Sequence, residues 1–329
     1  MKTKALAVTL VSICSLLLMS CSKNGTTSIE TPTTETPIDS VQLNDEQVAF
    51  TSTTLTGIRS SEPVCFMPSA SGTKVYSNSL AAIDASNTGE GYVMVDYKGT
   101  NGKVKLQITG PNNVTYTYNL YSYTGYEAFP LSSGDGKYKI AVYENITGNQ
   151  YSTALSENIN VTITNAFGPN LYANQYVNFT PDCKTVAQGQ QLATNCNTDL
   201  DVVSKIYNYV STNITYDHYK AATVQSGYTS NVDVILESGT GICLDYAAVM
   251  TSMLRTQCIP TRLEVGYAGT AYHAWISCYI TDIGWVNGII EFDGTSWSLM
   301  DPTFAANSSE TALKNFIGDG SNYKTKYIY

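Results

Sequence analysis

The chain has 329 residues, with 18 Lys and Arg against 27 Asp and Glu, and a formal net charge of −9. That acidity argues against nucleic acid or an anionic surface as a partner, since both need positive charge at the contact. Two histidines and no CxxC pair leave no metal-ligand spacing, and no cofactor is expected. Charged residues make up only 14%, while tyrosine alone occurs 25 times, a balance that suits a β-rich extracellular protein.

Lys2 and Lys4 open the chain, and residues 5–19 form a mostly apolar run. It is too short, and too closely followed by polar sequence, to span a bilayer. It ends in Leu18-Met19-Ser20-Cys21, which resembles the lipobox of bacterial lipoproteins. The resemblance implies that residues 1–20 are a lipoprotein signal peptide and that Cys21 is lipidated and becomes the mature N-terminus. The protein is then exported and attached to the membrane through Cys21, facing outside. Residues 21–45, with the run TTSIETPTTETPIDS, have almost nothing to bury and are expected to form a disordered tether.

Residues 60–165 read as short strands. Gly91–Tyr97 and Val104–Ile108 alternate roughly apolar with polar, and Gly110-Pro111-Asn112-Asn113 breaks the chain before Val114–Tyr118. Asp135-Gly136 precedes Tyr138–Tyr143, and Ile159–Ile163 closes the set. Regular strands with turn signals between them predict a sandwich. The segment Ser133–Tyr143 resembles the late strands of immunoglobulin-like modules. No histidine falls here, so a spacer or binding module is expected.

Residues 166–198 are poorly patterned and hold Cys183 and Cys196, which an exported protein could join across a short loop. Cys258 and Cys278 read as buried thiols and Cys65 as isolated. A helix is predicted from Thr198, with Asp199 and Asp201 in its first turn and Val203, Ile206, Tyr207 and Val210 as its apolar stripe. Asn213–Asp217 ends it, and a polar loop with His218 follows. A short helical piece, Val232–Glu237, leads to Gly239-Thr240-Gly241-Ile242-Cys243.

From Cys243 the sequence predicts a helix to about Gln257, with Ala247, Met250, Met253 and Leu254 on its buried face. Cys243 then stands at the helix mouth, where unpaired N–H groups and the macrodipole favour an anion, as a nucleophilic thiol requires. A strand over Leu263–Tyr267 and one over His273–Ile280, buried on both faces, come next. Asp293-Gly294 signals a hairpin, and Trp297–Thr303 a strand stopped by Pro302.

Thiol catalysis needs a nucleophile, a base and a group that orients the base. The base is His218, in a polar loop, or His273, at the start of a buried strand; the strand position favours His273. Asp301, just before Pro302, is the candidate orienting group. Asp245 and Arg262 read as makers of structural hydrogen bonds, and Arg255 as a partner for a neighbouring acid. Tyr216, Tyr272 and Trp275 read as packing beside a cleft.

Gly241-x-Cys243-x-Asp245-Tyr246-Ala247, Leu254-Arg255, Ile259-Pro260-x-Arg262, Gly266-Tyr267, His273-Ala274-Trp275 and Trp297-x-x-x-Asp301-Pro302-Thr303 together resemble the transglutaminase-like core. The resemblance spans about residues 200–305. It implies an α+β, papain-like fold, with a central cysteine-bearing helix against an antiparallel sheet, here preceded by the immunoglobulin-like sandwich. It implies Cys243 as nucleophile, His273 as base and Asp301 as orienter, within a catalytic domain over residues 166–329. Two departures stand out: Cys258 where the family often has glycine, and an extra hairpin over Ile283–Ser296.

The expected function is thiol-dependent attack on amide or peptide carbonyls through a thioester, resolved by water, with a peptide or protein of the cell envelope as substrate. A cross-linking transglutaminase, with an amine as acyl acceptor, has the same triad. A catalytically inert binding lipoprotein is the reading from a different class.

Overall fold

A computed structural model describes residues 59–122, 124–281, 284–286 and 323–329 in full, and the backbone of three further short strands. The first of these is β1 (Thr26–Ser28), which pairs antiparallel with a later strand. It lies inside the expected tether and is a difference from that expectation: an open sheet edge accepts another strand whatever its composition. The signal peptide, Cys21 and the rest of the tether lie outside the described residues.

The strands that follow are β2 (Val75–Ser77), β3 (Ala81–Asp84), β4 (Tyr92–Tyr97), β5 (Val104–Thr109), β6 (Thr115–Leu120), β7 (Glu127–Pro130), β8 (Gly136–Thr147) and β9 (Gln150–Val161). They form two antiparallel sheets, β2-β3-β4-β7 and β1-β9-β8-β5-β6. Alternation sets the inner faces: Val104, Leu106 and Ile108 of β5 and Tyr138, Ile140 and Val142 of β8 are buried in one core with Ile83, Val93, Val95 and Phe129 of the other sheet. Three of these strands, β2, β3 and β7, carry only three or four residues, too few for alternation to mark them in sequence.

The second half contains α1 (Lys184–Ala193), α2 (Asp199–Asn213), β10 (Thr215–Tyr216), α3 (His218–Thr223), α4 (Val232–Ser238), β11 (Thr240–Gly241) and α5 (Cys243–Thr256). Then come β12 (Thr261–Ala268), β13 (Ala271–Ile280), β14 (Gly284–Val286), β15 (Ile290–Phe292), β16 (Trp297–Leu299) and β17 (Tyr323–Ile328). The main sheet runs β14-β13-β12-β17, and β15 pairs antiparallel with β16; the hairpin signal Asp293-Gly294 lies outside the described residues. Helix α5 packs on β12 and β13, with α1, α2 and α4 also packed against it.

Two local expectations are corrected. The unpatterned stretch holds α1, which was missed because its buried face is mostly small, Thr185, Gly189 and Ala193, with Val186 its one large apolar residue among the fully buried. A Cβ on Gly189 would lie 3.3 Å from the Met253 Cα, so the glycine is what lets α1 approach α5. His218 does not sit in a loop but opens α3, capped by the Asp217 carboxylate on the Lys220 N–H at 2.8 Å.

One apolar core runs through both halves. The Tyr116 and Tyr118 rings of β6 meet Tyr329 at 5.7 and 6.0 Å, and Tyr176 stacks on Tyr329 at 3.8 Å. Burial raises the Tyr116 phenol to about 12 and holds Tyr118 and Tyr329 well above their ordinary value.

Candidate active site

Two short bridges bring the chain to Cys243. β10 pairs in parallel with β11, Tyr216 opposite Gly241. Gly239 takes φ +61 to end α4, a conformation that glycine adopts at least cost. Gly241 is needed for space, since a Cβ there would lie 2.8 Å from the Asp245 Cβ. Cys243 follows as the first residue of α5 and is half-buried.

The first turn of α5 is held from inside. Asp245 is fully buried, and its Oδ2 accepts the Ile242 N–H at 2.9 Å and the Lys220 ammonium at 2.6 Å. Its Oδ1 accepts the Tyr228 hydroxyl at 2.7 Å. Lys220 also donates to Tyr228 at 2.7 Å. Burial alone would lower the Lys220 ammonium, but its bonds to Asp245 and Tyr228 outweigh this and raise it. Asp245 is therefore a structural anchor two residues from the thiol. Its partners Lys220 and Tyr228 were missed, as nothing in a polar loop marks which lysine turns inward.

His273 lies on β13, is 8% exposed, and faces Gly266 of β12 across the ladder. A Cβ at Gly266 would lie 2.0 Å from the Lys324 carbonyl oxygen, so glycine is what admits β17 beside the histidine's partner strand. α5, with Cys243 at its start, packs on β13, which carries His273. Tyr272, next to His273, is 59% exposed and meets the Tyr267 ring edge-on at 5.5 Å. Burial, and then the neighbouring Tyr327, Tyr176 and Tyr267, raise its phenol above its ordinary value. Asp301 lies outside the described residues. His218 stacks edge-on against Tyr216 at 5.0 Å.

The remaining site expectations divide. Trp275 is 3% exposed and packs against Tyr323, as expected of a packing residue. Arg262 stacks its guanidinium 3.6 Å from the centre of the Trp285 ring. Among the described residues Arg255 is hydrogen-bonded to backbone carbonyls and not to a carboxylate, contrary to expectation. Fully buried, it donates to the carbonyls of Thr261, Tyr172 and Tyr329 at 2.7–3.0 Å. Burial lowers its pKa, and backbone dipoles, not an anion, offset that cost.

The family comparison falls on this helix and sheet: residues 186–288 match the transglutaminase-like superfamily. The chain carries a transglutaminase-like domain there. The matched span of that domain holds Cys243 and His273 and ends before Asp301. No curated protein matches the chain. Solved structures similar to it include the following two. One is described as a "putative cysteine protease" from Cytophaga hutchinsonii, at 16% identity over 64% of this chain and 71% of that one, with a TM-score of 0.32. The other is described as a "putative protease" from Parabacteroides distasonis, at 19% identity over 45% of this chain and 35% of that one, with a TM-score of 0.26. The chain thus spans about a third of the length of the second protein.

Proposed function

We propose that this protein cleaves amide or peptide bonds with a Cys243-His273-Asp301 triad through a thioester. The observation that carries the reading is Cys243 at the first position of a helix packed on the strand that bears His273. His273 takes the thiol proton as Cys243 Sγ adds to the carbonyl carbon, then gives that proton to the leaving amine. Water, deprotonated by His273, attacks the thioester, releases the acid and restores the thiol. Asp301 orients the imidazole.

The start of α5 supports a further role. Its N-cap is Ile242, which has no side-chain acceptor for the first-turn N–H groups. We assign the Cys243 N–H to the developing oxyanion. We read the β-rich half as an immunoglobulin-like sandwich over residues 60–165 that spaces or positions the catalytic domain, residues 166–329. In support, the Tyr138 hydroxyl at the start of β8 donates back to the carbonyls of Leu131 and Gly134 at 3.1 and 2.8 Å. We place the protein outside the cell membrane, anchored through Cys21, on the strength of residues 1–21 alone.

The test is release of amine from peptides and cell-wall fragments, with and without a labelled primary amine. The wild-type chain is expected to release amine, and Cys243→Ala to be slower by roughly 10⁴-fold or more while remaining folded. Equal turnover by the variant would end the proposal. Label incorporation that outpaces hydrolysis would replace water by an amine as acceptor. Binding without turnover in either protein would mark an inert lipoprotein.

A further inference from the structure

The loop between α3 and α4 carries Tyr228, and it is held from the other half of the molecule. Residues 221–227 are all exposed, so burial does not fix their path. The fixed point is Gly227. Its carbonyl accepts from Nδ2 of Asn119, on β6, at 3.4 Å. Gly227 takes φ +86, and a Cβ there would lie 2.4 Å from that same nitrogen. Conformation and contact both call for glycine.

Asn119 has anchors of its own. It stands opposite Lys105 of β5, whose ammonium donates to Asn119 Oδ1 at 2.6 Å. With Oδ1 taken by a donor, the amide nitrogen is left to face the loop. The Asn119 carbonyl accepts from Gln175 Nε2 at 2.8 Å, and the same nitrogen donates to Glu127 Oε2 of β7 at 3.0 Å. A side chain tied to both sheets of the first half thus holds a turn of the second.

One residue beyond Gly227 the chain turns inward. The Tyr228 N–H donates to the Gln225 carbonyl at 3.2 Å. The Tyr228 hydroxyl donates to buried Asp245 at 2.7 Å. The Lys220 ammonium lies 4.4 Å from the centre of the Tyr228 ring and donates to both Tyr228 and Asp245. Asp245 in turn accepts the N–H of Ile242, the residue before Cys243. From Asn119 to the neighbour of the thiol, every step is a hydrogen bond or a stretch of one residue's own chain.

We propose that Asn119 is a positioning residue for Cys243, acting through Gly227, Tyr228 and Asp245. The proposal rests on the reading of Cys243 as nucleophile. Asn119 sets where the turn at Gly227 lies, the turn sets the reach of Tyr228, and Tyr228 with Lys220 sets the carboxylate that holds the first turn of α5. The β-rich half then contributes a residue to the alignment of the nucleophile, and not only a spacer.

The test makes Asn119→Asp in the full chain. The new carboxylate keeps an oxygen for Lys105 but sets an acceptor against the Gly227 carbonyl, which pushes the loop away. The kcat should fall roughly 5- to 20-fold with KM unchanged, as the nucleophile and not substrate binding is disturbed. Gly227→Ala, which breaks the same contact from the loop side, should do likewise. Alkylation of Cys243 by iodoacetamide should slow, since the helix start favours the thiolate less, while Cys258 keeps its rate. Cleavage after Lys and Arg puts the two in separate peptides, 221–255 and 256–262. Cys258 serves as the control because it is exposed, contrary to its reading as a buried thiol; Cys183 and Cys196 are free thiols and not the pair expected from sequence. In Tyr228→Phe, adding Asn119→Asp should bring little further loss, since the path is already cut. Additive losses, a raised KM, equal slowing of Cys258, or unchanged or faster alkylation of Cys243 would each overturn the proposal. Failure of the catalytic reading shows separately, as a wild type that is alkylated at Cys243 but turns nothing over; the alkylation rates then decide the positioning by themselves.

Discussion

The two ends of α5 each bury one charge and hold it in opposite ways. At the start, Asp245 is met by side chains: an ammonium and a phenol that reach in from α3 and the loop after it. At the end, Arg255 is met by backbone: carbonyls from β12, from the connection before α1 and from Tyr329. Backbone acceptors are fixed by the fold itself, so Arg255 locks three distant parts of the chain together. Side-chain partners can be changed singly, and together with the Ile242 N–H they bear on one turn, the turn that presents Cys243. One end of the helix fastens the fold, and the other aims a thiol.

Breaking the fastening end should have the larger effect on stability. Arg255→Met leaves several buried carbonyls without a donor and should lower the unfolding free energy by roughly 3–5 kcal/mol, measured by urea titration. Turnover per folded molecule should stay near wild type. If that turnover fell as well, the contrast between the two ends would fail. Asp245→Asn keeps the shape but strips Lys220 of its anion, and should cost roughly 2–3 kcal/mol. Here turnover per folded molecule should also fall, since the first turn of α5 loosens around Cys243.

The aromatic seam between the two halves gives a pH test independent of α5. Burial raises the Tyr116 phenol to about 12 and holds those of Tyr118 and Tyr329 well above their ordinary value. A raised phenol keeps its proton in the folded state after the unfolded chain has lost it. Its contribution is therefore complete below the ordinary value of 10.0 and is lost as pH climbs from there through about 12. Urea midpoints should fall over that window in step with tyrosinate absorbance. A flat profile would mean that the seam is open to water.

The smallest effect concerns helix starts. Unlike α5, α2 begins with a complete capping box: the Thr198 hydroxyl accepts the Asp201 N–H at 3.1 Å, and the Asp201 carboxylate accepts the Thr198 N–H at 2.9 Å. Thr198→Ala should cost about 1 kcal/mol and leave turnover unchanged. A loss of activity would show that α2, too, takes part in positioning the site.

Much of this was written in local pattern. The spacing of Ala247, Met250, Met253 and Leu254 marked α5, and all four are fully buried. Thr198 with Asp201 marked the start of α2, and apolar continuity marked β13. Such signals are legible because helix and strand periods act on neighbouring residues. The stretch holding α1 gave no such signal, as its packing depends on the small size of Gly189 against Met253. Arg255 read as half of an ion pair because sequence cannot display a carbonyl as a partner.

By itself, then, the order of residues determined where α2, α4, α5 and β13 lie and that Cys243 stands at a helix mouth, because these follow from contacts a few positions apart. Tertiary structure alone decided that Lys220 and Tyr228 hold Asp245 and that Gly266 admits β17 beside the partner of His273. Those pairings join residues from 17 to about 60 positions apart. Their energy comes from desolvated charge, close backbone approach and shared burial, none of which exists until the chain has closed on itself.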